Sequence, residues 1–229
     1  MDDAVSAIEL PLFPLNTVLF PGQILPLHIF EDRYRLMIRR CLADDTPFGV
    51  ALIRQGREVG ETATPHPVGT VARIIESAYL PDGNMNIITV GVERFRIVRL
   101  LYDQPYLRGR VEPLPLIEAD KPSADSSLVR RVRDLTIRYV ELIAQAAGLQ
   151  IQLDQVPDVP LQIGYLAAVA MQIDNREKQA LLSATSLKEI LSLELTLLNR
   201  ENALLTWIAR RKDWPEQRQF GPSGTLLPN

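Results

Sequence analysis

Two histidines, His28 and His66, and one cysteine, Cys41, are the only imidazoles and thiol in the 229 residues. They limit the chemistry this chain can offer as base, nucleophile or soft metal ligand. His28 lies in the apolar run QILPLHIF, and His66 stands between Pro65 and Pro67. Either imidazole could serve a Ser-His-Asp arrangement, but the chain contains no Gly-x-Ser-x-Gly elbow to present a serine. Cys41 falls on the apolar side of an expected helix, where a buried thiol acts as a small hydrophobe. Asp44-Asp45 is the kind of pair acid–base chemistry uses, yet before Thr46-Pro47 it reads first as a solvated turn. Two histidines and one cysteine so far apart make a poor zinc set, and a single cysteine forms no intrachain disulfide. No Gly-x-x-x-x-Gly-Lys-Ser/Thr loop is present to cradle phosphates. The expectation is no catalytic residue, no metal and no cofactor. A small hydrolase built on His28 or Cys41 is the alternative.

Charge narrows the partners. The chain carries 25 basic and 28 acidic side chains, net −3. Residues 1–120 hold 12 basic and 16 acidic side chains, and residues 121–229 hold 13 and 12. Nucleic acid requires a concentrated basic face, and neither half has one by count. The run VRRVRD, 129–134, lacks interleaved aromatics and reads as a solvated helix face. The opening MDDAVSAIEL is acidic where a secretory leader is basic. No window reaches the roughly 18–20 apolar residues of a membrane span. The expected location is cytoplasmic, with no membrane partner.

The elements that would position any site follow from period and punctuation. ELPLFPL and QILPLHIF (23–30) read as strands, divided by Asn16 and Pro21-Gly22. Phe30, Tyr34, Met37, Ile38 and Cys41 then recur at helical spacing, which predicts a helix over 31–43. FGVALIR (48–54) is a buried strand, and 56–67 a polar loop. Two long β runs, 68–80 and 85–101, are joined by Pro81-Asp82-Gly83-Asn84, a turn with a backbone reason for each residue. Gly91 within the second run predicts a bulge or a close backbone approach. Residues 106–114 form a further strand.

The texture changes at 115–126, which is polar and contains proline. Leu128, Val132, Leu135, Tyr139, Leu142 and Ala146 then make an apolar helical stripe. Helices are also expected over 156–173, over NREKQALLSA, and over 186–211, whose Leu191, Leu195, Leu198, Leu205 and Ile208 line one side with Asn202 among them. The fold class is α+β: a β-rich subdomain over 8–118, a helical subdomain over 124–212, and a flexible tail over 213–229.

LPLFPLNTVLFPGQILPLHIFEDRY, then VGTVARIIESAYLPDGNMNIITVGVERFRI, then IDNREKQALLSATSLKEILSLELTLLNRE together resemble the amino-terminal substrate-binding domain of Lon ATP-dependent proteases. The resemblance covers about residues 9–205, and it rests on the order and spacing of these segments. It implies a PUA-like pseudo-barrel followed by a helical bundle. The implied partners are unfolded or exposed protein segments, with a protease or chaperone receiving them. Lon proteases continue into ATPase and peptidase modules; this chain departs from that pattern, with no P-loop, and the expectation is a stand-alone, non-catalytic member. An RNA-binding PUA-like protein is the other alternative.

Phe20, Phe30 and Tyr79 are the candidate peptide contacts, since large apolar side chains near turns and element ends are those a β core leaves exposed. Each has plain core packing as its competing explanation. The long helix 186–211 offers a face for a homodimer, with Asn202 fixing register, or for packing on helix 127–147.

Overall fold

The computed structural model describes residues 7–60, 63–117, 126–149, 157 and 159–210. The expected tail over 213–229 lies outside them. The chain divides into two compact units, residues 1–117 with 174–185, and residues 118–173 with 186–229.

The first unit is built on seven strands: β1 (Ile8–Leu15), β2 (Ile24–Ile29), β3 (Phe48–Gln55), β4 (Thr64–Pro65), β5 (Val68–Tyr79), β6 (Met85–Leu101) and β7 (Arg108–Pro113). Strand β1 changes partner midway. Residues Ile8–Pro11 pair antiparallel with β7, and Leu12–Leu15 pair parallel with β3. The path β1–β7–β6–β5–β3 therefore returns to β1, and the sheet closes on itself. Strand β2 is off this ring and, among the described residues, pairs with β6 alone, which makes it an edge. Pro26 sits on it, where a residue without an N–H does least harm to a ladder. The two-residue strand β4 interrupts the stretch expected to be loop; it pairs with the end of β3, and His66 N–H reaches Leu52 C=O at 2.7 Å.

The hairpin forms at the expected turn. Gly83, at φ +82°, donates to Leu80 C=O at 3.0 Å, and Asn84 N–H caps on Asp82 Oδ1 at 3.0 Å. The register shifts beside Gly91, between Thr70 and Ala72. A methyl group at Gly91 would lie 2.3 Å from Phe20 O, so both expected reasons for this glycine hold. Gly91→Ala must push the loop before β2 outward. The expected cost is about 1–3 kcal/mol, read from the midpoint of urea unfolding.

Helix α1 (Asp32–Ala43) lays Tyr34, Met37, Ile38 and Cys41 into a cluster with Phe13, Phe48, Met85 and Ile87. A second cluster centres on Leu12, Phe95 and Val111. Helix α4 (Asn175–Ser183) also belongs to this unit, although the sequence groups it with the helices over 124–212. Asp174 caps its start by accepting Arg176 N–H at 2.7 Å. Gln179 Nε2 donates to Val68 O at 3.1 Å, and the buried Arg94 Nη1 donates to Leu182 O and Ala184 O at 2.6 and 2.7 Å. Polar side chains thus fasten α4 to strands β5 and β6.

The second unit contains α2 (Ser126–Ala146), α3 (Pro160–Ala170) and α5 (Leu187–Arg210), each packed on the other two. Helix α3 is shorter than the expected 156–173; Pro160 opens it at the position where proline is best tolerated. Tyr139 OH accepts Gln172 N–H at 3.0 Å. The buried line of α5 runs through Leu187, Ile190, Leu191, Glu194, Leu198 and Asn202. Leu195, expected on that line, is only half-buried. Among the described residues no helix is long and apolar enough to cross a membrane.

Candidate functional site

Four of the reactive side chains lie away from any gathered site. Cys41 is 2 % exposed, and burial pushes its thiol up to about 11. At pH 7 only about one molecule in ten thousand is then thiolate, the form that attacks. Asp44 and Asp45 make the turn after α1: Asp44 N–H donates to Arg40 O at 3.0 Å, and Asp45 takes φ +48°. His66 is held below the ordinary imidazole range by burial first and by the Arg54 charge second. Among the described residues no three His, Cys, Asp or Glu side chains gather as a metal set.

His28 is different, because it faces out from the edge strand. Its Nδ1–H donates to Asn86 Oδ1 at 2.7 Å, and its ring stacks near Phe30 with centroids 6.0 Å apart. Phe30 is 48 % exposed at the junction of β2 and α1. It borders a cleft of about 170 Å³ that continues past Pro26, Leu27 and Tyr34 to Val59. Val59 is likewise exposed.

Polar groups shape the rim of this cleft. Glu31 pairs with Arg33 at 3.0 Å and accepts Gly60 N–H at 3.3 Å. Glu58 accepts Asn16 N–H at 3.1 Å, and Arg33 reaches Glu58 O at 3.4 Å. The Arg33 guanidinium lies 4.6 Å from the centre of the Tyr34 ring, itself stacked on Phe13 at 4.1 Å. Burial, the largest influence, pushes the Tyr34 phenol up to about 12, so the ring stays neutral. The cleft thus has an apolar floor, a neutral aromatic wall and carboxylates already engaged. That chemistry suits an apolar segment better than a cation or anion.

The three candidate contacts separate. Tyr79 is 62 % exposed at the end of β5, in register with Met85 and, across β6, with Ile29. Two strand spacings, about 10 Å, set it apart from the residue before Phe30, so both aromatics stand at one end of the sheet. Phe20 does not join them. It is 1 % exposed, and the expectation of an exposed aromatic there is corrected. Its backbone N–H donates to Gln23 Oε1 at 3.0 Å, its carbonyl lies against Gly91, and Thr70 Oγ1 donates to Leu19 O at 2.5 Å. Those bonds draw the loop inward.

Val59 and Glu58 carry no signal in the sequence, since nothing in the loop GREVGET marks a cleft wall. Glu194 does carry one: a carboxylate at helical spacing from Ile190, Leu191 and Leu198 interrupts an apolar line.

Known proteins place this geometry in context. The family described as the ATP-dependent protease La (LON) substrate-binding domain matches residues 9–200. Lon protease 2 of Myxococcus xanthus is 31 % identical over 202 residues, covering 86 % of this chain and 24 % of the relative. Lon protease of Flavobacterium johnsoniae is 28 % identical over 96 % of this chain and 28 % of its own length. This chain thus spans about a quarter of the curated relatives it matches. The crystal structure of a Lon N-terminal domain protein from Xanthomonas campestris aligns with TM-score 0.63 and 26 % identity, over 82 % of this chain and 98 % of that one. The N-terminal domain of the Mycobacterium avium complex Lon protease shares the fold, with TM-score 0.64 at 17 % identity over 86 % of this chain and 98 % of that one.

Proposed function

The chain belongs to the family of the ATP-dependent protease La (LON) substrate-binding domain, and from that premise we propose that it is a non-catalytic module that captures exposed apolar segments of unfolded proteins. The observation that carries the reading is the family match over residues 9–200. The cleft beside Phe30 supports it, because an apolar floor next to an edge strand suits an extended peptide. In this reading the closed ring of strands is the PUA-like pseudo-barrel and the helices are its companion bundle. Phe30 and Tyr79 supply the aromatic contacts, and a protease or chaperone in the same cytoplasm receives the captured client.

The helix α5 enters this reading as part of its own unit. Asn202 is 4 % exposed and donates to Leu135 O at 3.0 Å and Leu198 O at 2.9 Å. Its donors therefore serve α2 and α5, which favours packing on α2 over pairing with a second copy; light scattering reads the outcome.

Fluorescence anisotropy with a labelled, permanently unfolded protein tests the proposal. Saturable binding in the micromolar range is expected. Phe30→Ala and Tyr79→Ala should each weaken it by about 1 kcal/mol, roughly fivefold. Both side chains are largely solvated, so stability should change by less than about 1 kcal/mol. Absence of saturable binding, or binding untouched by both substitutions, defeats the reading of this cleft.

A further inference from the structure

Glu194 is wholly buried in α5, and among the described residues neither carboxylate oxygen has a hydrogen-bond partner. Its neighbours three and four residues away along the helix are Ile190, Leu191, Leu197 and Leu198. Across from it stands Gly164 of α3. A methyl group at Gly164 would lie 3.6 Å from Oε2 and 3.8 Å from Oε1, ordinary contact distances, so the carboxyl faces α3 directly at this glycine. A lone ionised carboxylate is not stable in such surroundings. Either the group keeps its proton or the seam admits water.

The charged groups of the packed helices do not relieve it. Helix α3 has no charged residue, and Tyr165 is its one titratable group. On α2 the titratable groups are Arg130, Arg131, Arg133, Asp134, Arg138, Tyr139 and Glu141. Arg138 reaches α5 at Thr206, and Tyr139 feels Glu201, both well beyond Glu194 along that helix. On α5 itself the nearest charged residues in sequence, Glu189 and Arg200, are more than one helical turn away. Burial alone raises the Glu194 carboxyl well above its ordinary range.

We propose that the seam between α3 and α5 is a proton-controlled latch, closed while Glu194 is protonated and opening locally to water as Glu194 ionises. The proton leaves to bulk solvent, and the exposed surface is the apolar seam of Ile163, Gly164, Ala167, Ile190 and Leu191. The direction follows from linkage. In the open seam the carboxyl returns to its ordinary value near 4.5. The closed form binds one more proton than the open form above that value. Closure is therefore most favourable at or below about pH 4.5 and weakens as pH rises toward the raised value of the closed form. This latch stands independently of client capture, since it concerns the helical unit alone.

Native-state hydrogen exchange on the full chain at pH 5.5, 6.5 and 7.5 provides the test, with intrinsic exchange rates divided out. Protection of the α3 amides should fall as pH rises in the wild type, by at most about tenfold per pH unit, the limit set by one proton. In Glu194→Gln and Glu194→Leu it should be flat within about threefold, while β6 amides stay flat in all three proteins. Wild-type α3 protection as flat as in the variants overturns the latch. So does a parallel fall in α3 and β6, which would mark unfolding of the whole chain. Failure of both variants to fold overturns it as well, because a carboxyl that acts only when ionised is dispensable for closure.

Discussion

Arg94→Met should lower the unfolding free energy by about 3–5 kcal/mol, from the loss of two charge-assisted hydrogen bonds. Arg94 is 3 % exposed, and its Nη1 donates to the carbonyls of Leu182 and Ala184. These carbonyls lie in and just after the last turn of α4, where a helix leaves acceptors without intrahelical donors. A cation there also complements the helix dipole. Methionine supplies similar apolar volume, so the loss isolates the polar contacts rather than a cavity. Urea unfolding measures the total. Hydrogen exchange should also show α4 losing protection before β6. Arg94→Lys keeps the charge but reaches fewer acceptors, so it should recover only part of the loss. A cost below about 1 kcal/mol for Arg94→Met would mean that α4 is held by its apolar side chains, Leu181 and Leu182, and not by the guanidinium.

Phe20→Ala and Phe30→Ala should part company completely, though the two residues stand ten apart in one segment. Phe20 is among the largest fully buried side chains, and its truncation should cost about 3–5 kcal/mol. The site has little freedom to collapse. Gln23 N–H donates to Phe20 O at 3.1 Å, Gly91 N–H donates to Gln23 O at 2.9 Å, and Gly22 N–H donates to Gly91 O at 2.8 Å. A loop tied at that many points keeps the cavity open, which places the cost toward the upper end. Client binding measured well below the melting temperature should be little changed in Phe20→Ala. Phe30→Ala should show the reverse, weaker binding with stability nearly intact. Equal thermal shifts for the two variants would contradict the burial difference.

Much of the fold is legible because it rests on local signals. The stripe Tyr34, Met37, Ile38 and Cys41 specifies α1 and its buried face together. Pro81-Asp82-Gly83-Asn84 specifies a hairpin whose Gly83 does adopt positive φ. Gly91 signals crowding, although only the structure identifies Phe20 as its cause.

What escapes is decided over long separations. Phe20 and Phe30 look alike in sequence, and the difference between them is made by Thr70 and Gly91. Helix α4 shows an apolar face but no label saying what it covers; that choice falls to Arg94 and to the Val68 carbonyl that Gln179 reaches. In α5 the leucines are so numerous that several registers look apolar, and the true one passes through Glu194 and Asn202 rather than Leu195. The cleft is the least legible part, because its wall comes from a polar loop with no pattern of its own.

The placement of α4 has a consequence for how this chain is made. The strand ring is synthesised by residue 117, yet the segment carrying the helix that Arg94 and Gln179 hold is not complete until residue 185. At about 5–20 residues per second, the intervening stretch takes roughly 3–14 s to emerge. Through that interval the nascent ring carries Arg94 with neither of its α4 acceptors, and α2 and α3 are translated before those acceptors. Assembly on the ribosome is therefore interleaved, with the first unit finished only after most of the second has been translated. A truncation at the end of β7 would freeze the chain in that waiting state.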